Sequence, residues 1–140
     1  MTIHSISLYD VILYDVIESR PKPEPSLPGM VVEVRKDIVQ FENGPERHIR
    51  LCGPMLIEEV WLFRAGFRLT KVNYKNGASS FGKIYVKEDV LIRKNGDFWL
   101  VKQVGHDTVH PCKYYHVLQW FYKGFTGKEM IESWRSEIIL

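Results

Sequence analysis

The dipeptide Asn-Gly occurs three times, at 43–44, 76–77 and 95–96, each time among short runs of β-branched and aromatic residues. That punctuation restricts the chain to short antiparallel strands joined by turns, because Asn and Gly tolerate the positive φ that tight hairpins require. The clearest instance is VLIRK-NG-DFWLV. A type I′ turn at Asn95-Gly96 predicts Lys94 opposite Asp97, Arg93 opposite Phe98, Ile92 opposite Trp99 and Leu91 opposite Leu100. At Asn43-Gly44 the following Pro45 has no amide hydrogen to close a two-residue turn, so a longer loop is expected between DIVQFE and HIRL. The third dipeptide, between FRLTKVNY and FGKIYVK, stands among Gly77, Ala78, Ser79, Ser80 and Gly82, which predicts a looser connection.

Pro21, Pro23, Pro25 and Pro28 in RPKPEPSLP predict an extended spacer, since each fixes its own φ and biases its predecessor away from helix. Residues 1–28 therefore read as an N-terminal arm with its linker, and residues 29–140 as one α+β domain. In the arm the unit LYDVI occurs twice in tandem, at 8–12 and 13–17. A period of five fits neither strand nor helix. Ser7 and Asp10 at capping-box spacing favour a short helix, whereas the Val, Ile and Tyr content favours a strand. Either way Leu8, Val11, Ile12, Leu13, Val16 and Ile17 are too apolar to stay in water and should pack on the body, a second copy or a partner.

Two helical patches interrupt the strands. LIEEVWLFRAG places Glu58 and Glu59 at the positive end of a helix dipole, Arg64 at the negative end and Gly66 at the C-terminal stop. Farther on, Tyr114, Val117, Leu118, Phe121, Tyr122 and Phe125 follow helical spacing, which predicts them as core and leaves His116, Gln119, Trp120 and Lys123 on the other side. Thr126 and Glu129 form a capping box for a last helix bearing Met130, Trp134 and Ile138. The expected fold is α+β: a bent antiparallel sheet over residues 30–109, a small SH3-like barrel being one form of it, with two or three packed helices.

No apolar run reaches the length of a membrane span, and residues 1–19 carry no Lys or Arg while Asp10 and Asp15 interrupt any export signal; a cytoplasmic protein is expected. Two cysteines, Cys52 and Cys112, are too few for a disulfide scaffold and read as reduced thiols. His106, His110, Cys112 and His116 are metal-capable, but they lack knuckle or one-face helical spacing, and Pro111 breaks any helix through them. A Cys112 nucleophile paired with His116 or His48 finds no local cause for a lowered thiol pKa. Glu58-Glu59 and Glu88-Asp89 are adjacent acids that face apart, and no phosphate-cradling glycine loop is present. No catalytic residue, metal or cofactor is expected.

Charge is the strongest remaining signal. Residues 1–28 carry a net −2, whereas residues 60–128 hold 12 Lys or Arg against 4 acids together with 14 of the 18 aromatic residues. Cations at that density could neutralise phosphates, with Tyr74, Tyr85, Trp99 or Trp120 stacking on bases. They could equally keep a sheet's outer face soluble. The partner-binding or nucleic-acid-binding residues selected are Arg64, Arg68, Lys71, Lys75, Trp120 and Lys123.

PMLIEEVWLFRAGF is similar to a P-x-x-L-T-E-E-W-L-x-x-x-G-F segment, and CKYYHVLQWFYKGFTGKEM resembles a K-Y-V-H-x-L-Q-N-L-Y-x-x-L-T-G-x-E-L ending, of a family of small uncharacterised phage and prophage proteins of Bacteroidota. Glu58, Glu59, Trp61, Leu62, Gly66 and Phe67 fall on the first motif. Lys113, Tyr114, His116, Leu118, Gln119, Tyr122, Thr126, Gly127 and Glu129 fall on the second. Ile57 stands where the family has a capping Thr, and the duplicated arm and the tail after Met130 lie outside the pattern. The resemblance implies a phage setting. With the absence of a catalytic constellation, it leads to the expectation of a non-catalytic phage or mobile-element protein that binds and inhibits a host defence component, such as a CRISPR-Cas effector. The partner would be a host bacterial protein or ribonucleoprotein, and the arm offers a route to a homo-oligomer. The alternative is a basic RNA- or DNA-binding module.

Overall fold

A computed structural model describes residues 6–14, 27–73 and 81–130. The fold is α+β. The chain divides into two compact units, Met1–Leu56 with Tyr114–His116, and Ile57–Lys113 with Val117–Leu140. The β-structure expected over residues 30–109 thus falls into two sheets, separated by residues 49–67, which hold a 3-10 turn, Pro54 and a short helix.

In the first unit β1 (Val11–Tyr14), β2 (Leu27–Arg35), β3 (Ile38–Phe41) and β4 (Glu46–His48) form an antiparallel sheet in chain order. The open question over the arm resolves to a strand, with Val11 opposite Met30 and Ile12 opposite Gly29. Half of the capping box forms all the same: the amide of Ser7 donates to Asp10 Oδ2 at 2.8 Å and the amide of Asp10 donates to the Ser7 carbonyl at 3.2 Å. It closes a turn that feeds the strand. Val11 and Ile12 are fully buried, and Ile12 joins Val31, Val39, Phe41 and Cys52 in one apolar cluster. Gly29 admits the Phe41 ring, since a Cβ there would lie 2.7 Å from Phe41 Cδ1. Pro45 does lengthen its loop: β3 ends at Phe41 and pairing resumes with Glu46 opposite Gln40.

In the second unit β5 (Arg68–Asn73), β6 (Phe81–Lys87), β7 (Val90–Asn95), β8 (Phe98–Gln103) and β9 (Val109–Cys112) form a five-stranded antiparallel meander. The 95–96 hairpin is present with a different register: Asn95 faces Phe98, Lys94 faces Trp99 and Ile92 faces Val101. Gly96 has φ 64° while neither Asn95 nor Asp97 has positive φ, so Gly96-Asp97 occupy the turn as in type II′. Each pairing moves by two residues, which preserves the face. Ile92, Trp99 and Val101 stay buried together.

One face of this sheet carries the helices. α1 (Glu59–Arg64) ends in a Schellman motif, with the amide of Phe67 donating to the Leu62 carbonyl and that of Gly66 to Phe63, which is why glycine follows it at φ 96°. α2 (Tyr115–Thr126) differs from expectation in its buried face. Leu118 and Tyr122 are buried as expected, but they are joined by Tyr115, His116 and Gln119, whereas Tyr114, Val117, Phe121 and Phe125 are only half-buried. His110 provides part of the reason: its ring lies 4.9 Å from Phe121 and 6.0 Å from Phe125, giving those two a half-polar neighbour at the sheet's margin. The chain bends at Gly127, and the final helix expected from Thr126 falls mostly outside the described residues. Among the described residues no helix is long and apolar enough to cross a membrane.

Candidate functional site

Strand alternation gives the five-stranded sheet two unlike faces. Contacts to the helices leave from Tyr85, Lys87, Trp99, Gln103 and His110. The opposite, outer face includes two rows read from the register, Thr70–Ile84–Arg93–Leu100–Pro111 and Arg68–Val86–Leu91–Lys102–Val109, and beyond them Asn95 opposite Phe98, which is 39% exposed. Neither row contains a carboxylate, and three positions are cations. Antiparallel sheets with one solvated face normally present polar residues there. Here the centre is aliphatic: Ile84, Leu91 and Leu100 are half-buried, and Val109 is 43% exposed. Between the strands lies a groove of about 300 Å³ lined by Ile84, Leu91, Arg93, Leu100, Lys102 and Val109.

On the helix side a wider cleft of about 630 Å³ is bounded by Ile57, Glu58, Glu59, Lys83, Tyr85, Lys94 and Trp99. The Tyr85 hydroxyl donates to the Glu59 carboxylate, and Lys83 Nζ stands 3.9 Å from the same oxygen. Burial, helped by the hydrogen bond and charge of Glu59, pushes the Tyr85 phenol up to about 12. Trp99 Nε1 donates to the Ile57 carbonyl at 3.1 Å, and Lys94 Nζ sits 5.8 Å from the indole centroid. Glu59 therefore serves as a partner for Tyr85 and Lys83, and a phenol at about 12 is a poor base near neutrality. Glu88 is also engaged, with Lys128 Nζ 3.3 Å from its carboxylate. A hydrogen bond from Tyr122, with help from Lys128 and Lys87, holds the Glu88 carboxyl below its usual range.

The six residues selected from the sequence do not form one site. Arg64 ends α1 with its guanidinium 4.8 Å over the Trp61 ring. Arg68 opens β5 and belongs to the outer face. Lys71 pairs with Lys83 in the register. Lys75 lies outside the described residues. Trp120, 37% exposed, and Lys123 share the open side of α2, and Lys123 Nζ lies 2.6 Å from Glu129. Of the proposed base-stacking rings, Tyr85 and Trp99 are buried and Tyr74 lies outside the described residues. The outer-face residues Arg93, Lys102, Ile84, Leu91, Leu100 and Val109 were missed as a group. Their signal is present in the paired strands, because the hairpin already places Leu91, Arg93 and Leu100 on one face.

The metal-capable residues separate. His106 is exposed after β8, His110 is stacked on Phe121 and Phe125, Cys112 closes β9, and His116 is buried in the first turn of α2. Among the described residues no three His, Cys, Asp or Glu side chains are grouped as metal ligands. Cys52 and Cys112 are both buried thiols, not joined in a disulfide. No protein-family model, curated protein or solved structure matches this chain.

Proposed function

We propose that this chain is a non-catalytic phage or mobile-element protein that binds a host defence component and inhibits it, a CRISPR-Cas effector being the type of target. The observation that carries the reading is the aliphatic outer face of the five-stranded sheet, whose two rows hold no carboxylate. Apolar side chains held in a groove are of use to a binding surface and cost solubility otherwise. The resemblance to small phage proteins of Bacteroidota supplies the setting: a partner that is a host bacterial protein or ribonucleoprotein, met in the bacterial cytoplasm. The five consecutive strands support the further suggestion of a small SH3-like barrel. Among the described arm residues Val11 and Ile12 are buried in the first sheet, so Leu8, which is half exposed, is the one available for self-association through the arm; Val16 and Ile17 lie outside the described residues.

A second reading, direct RNA or DNA binding, draws on the exposed cations Arg68, Arg93 and Lys94 and on Trp120. The two are separated by a tagged pull-down from host lysate with and without nuclease, followed by a phage-interference assay in cells expressing the chain. An inhibitor retains its partner after nuclease treatment and relieves interference. Binding lost on nuclease treatment, or a steep fall in affinity for a labelled oligonucleotide as salt rises, supports the second reading and sinks the first.

A further inference from the structure

We propose that the outer face of the five-stranded sheet docks a protein segment in which one or two large apolar side chains are flanked on both sides by carboxylates. This rests on the reading of the chain as a binding protein and names the chemistry of its partner. Arg93 sits in one row between Ile84 and Leu100, and Lys102 in the other between Leu91 and Val109. These two cations are diagonal neighbours on adjacent strands, roughly 7 to 8 Å apart at the backbone. Arg68 lies three strands from Lys102 in the same row, about 14 Å away at the usual strand spacing. Positive groups therefore stand on both sides of an aliphatic strip, and among the described residues none of the three has a carboxylate partner.

Charge complementarity selects the occupant. A second copy of this chain laid face to face would bring like charges together over the same apolar strip, which is repulsive. A nucleic acid would use the cations but leave the aliphatic groove empty, and the one aromatic ring that the register puts on this face among the described strands, Phe98, lies at the hairpin end beyond the two rows. An acidic segment with an apolar centre uses both features: its large side chain fills the groove of about 300 Å³, and its carboxylates reach Arg93 or Lys102 on one side and Arg68 on the other.

The test is selection of a displayed random peptide library on the full chain, with a labelled single-stranded RNA titrated in parallel. Selected peptides are expected to carry Leu, Phe or Trp between Asp or Glu residues. Their affinity should fall about tenfold or more in Arg93→Glu/Lys102→Glu, and Lys-flanked versions of the same peptides should recover binding to that variant. Recovery shows that the variant is folded; Arg93→Gln/Lys102→Gln, with a smaller expected loss, guards against a reversed pair that does not fold. Enrichment without acidic flanks, affinity indifferent to both variants, or a response by the RNA alone would overturn the proposal. Interference relieved equally by wild type and variants would leave the inhibitor reading standing while this one fails. Peptide binding as stated without any relief of interference would do the reverse.

Discussion

Mild acid should destabilise this protein through one buried imidazole. His116 is 5% exposed in the first turn of α2, its ring stacked 6.2 Å from that of Tyr114. Burial pushes its pKa down from the ordinary 6.5 to about 4. In the unfolded chain the imidazole takes up a proton as pH falls through 6.5, while in the folded chain it stays neutral until about 4. The unfolded state then binds more protons, so stability is full above pH 6.5 and declines through the window from 6.5 to 4. Linkage between those two values gives a loss of about 2 kcal/mol between pH 7 and pH 5 and about 3 kcal/mol by pH 4, as upper figures. Glu88 acts in the same direction, since its carboxyl is held low by Tyr122 and Lys128, but its effect begins nearer its ordinary 4.5 and leaves the upper part of the window to His116. Urea unfolding at pH 7 and pH 5, for wild type and His116→Gln, reads the difference. Wild type should lose most of the stated 2 kcal/mol, and the variant, which cannot be protonated there, should lose much less even if weaker overall. An equal loss in both would refute the reasoning and assign the acid sensitivity to other groups.

Three further outcomes test the packing. Trp99→Phe removes the donor to the buried Ile57 carbonyl and should cost about 2 to 4 kcal/mol in denaturant unfolding, the missing hydrogen bond accounting for roughly half. Gly29→Ala places a Cβ 2.7 Å from Phe41 Cδ1 and 3.0 Å from Tyr14 Cε1. It should cost about 1 to 3 kcal/mol, partly recovered when Phe41→Leu is added; additive losses would count against the close approach. Gly96→Ala meets open space, so its expected loss of about 1 kcal/mol comes from φ 64° alone, and a variant as stable as wild type would argue against the turn described.

The strands β2 to β8, the lengthened 41–46 loop and the stop of α1 were legible because each rests on a local cause: a β-branched run, a proline without an amide hydrogen, a glycine at a Schellman position. The register at 95–98 was less so. Asn95-Gly96 as a I′ turn and Gly96-Asp97 as a II′ turn differ by two residues in pairing, and both put Val90, Ile92, Trp99 and Val101 on the same side. The hydrophobic pattern cannot distinguish registers that preserve the face; only the φ of Asn95 and Gly96 does. On α2 Leu118 and Tyr122 are buried as the spacing predicts, but Tyr115, His116 and Gln119 share that side where Tyr114, Val117, Phe121 and Phe125 were expected. Part of the cause is His110, which lies about ten residues earlier in β9 and stacks on Phe121 and Phe125.

The outer face was hidden for a related reason. Ile84-Tyr85-Val86, Val90-Leu91-Ile92 and Leu100-Val101 are unbroken apolar runs, the pattern of strands covered on both sides, so alternation does not reveal which residues reach water. Only Arg93 and Lys102 break the pattern, and in isolation each looks like a solubilising charge. Their meaning arises in the register, where strands distant in sequence set each cation between two aliphatic neighbours while no Asp or Glu falls on the same face. A count of basic residues along the chain therefore points to the right segment but the wrong chemistry. It groups Arg68 with Lys71, three residues on in β5 and in a different row of the register, and separates Arg93 from Lys102, which stand together. If the face binds as proposed, affinity will follow membership of the two rows rather than the local density of lysine and arginine.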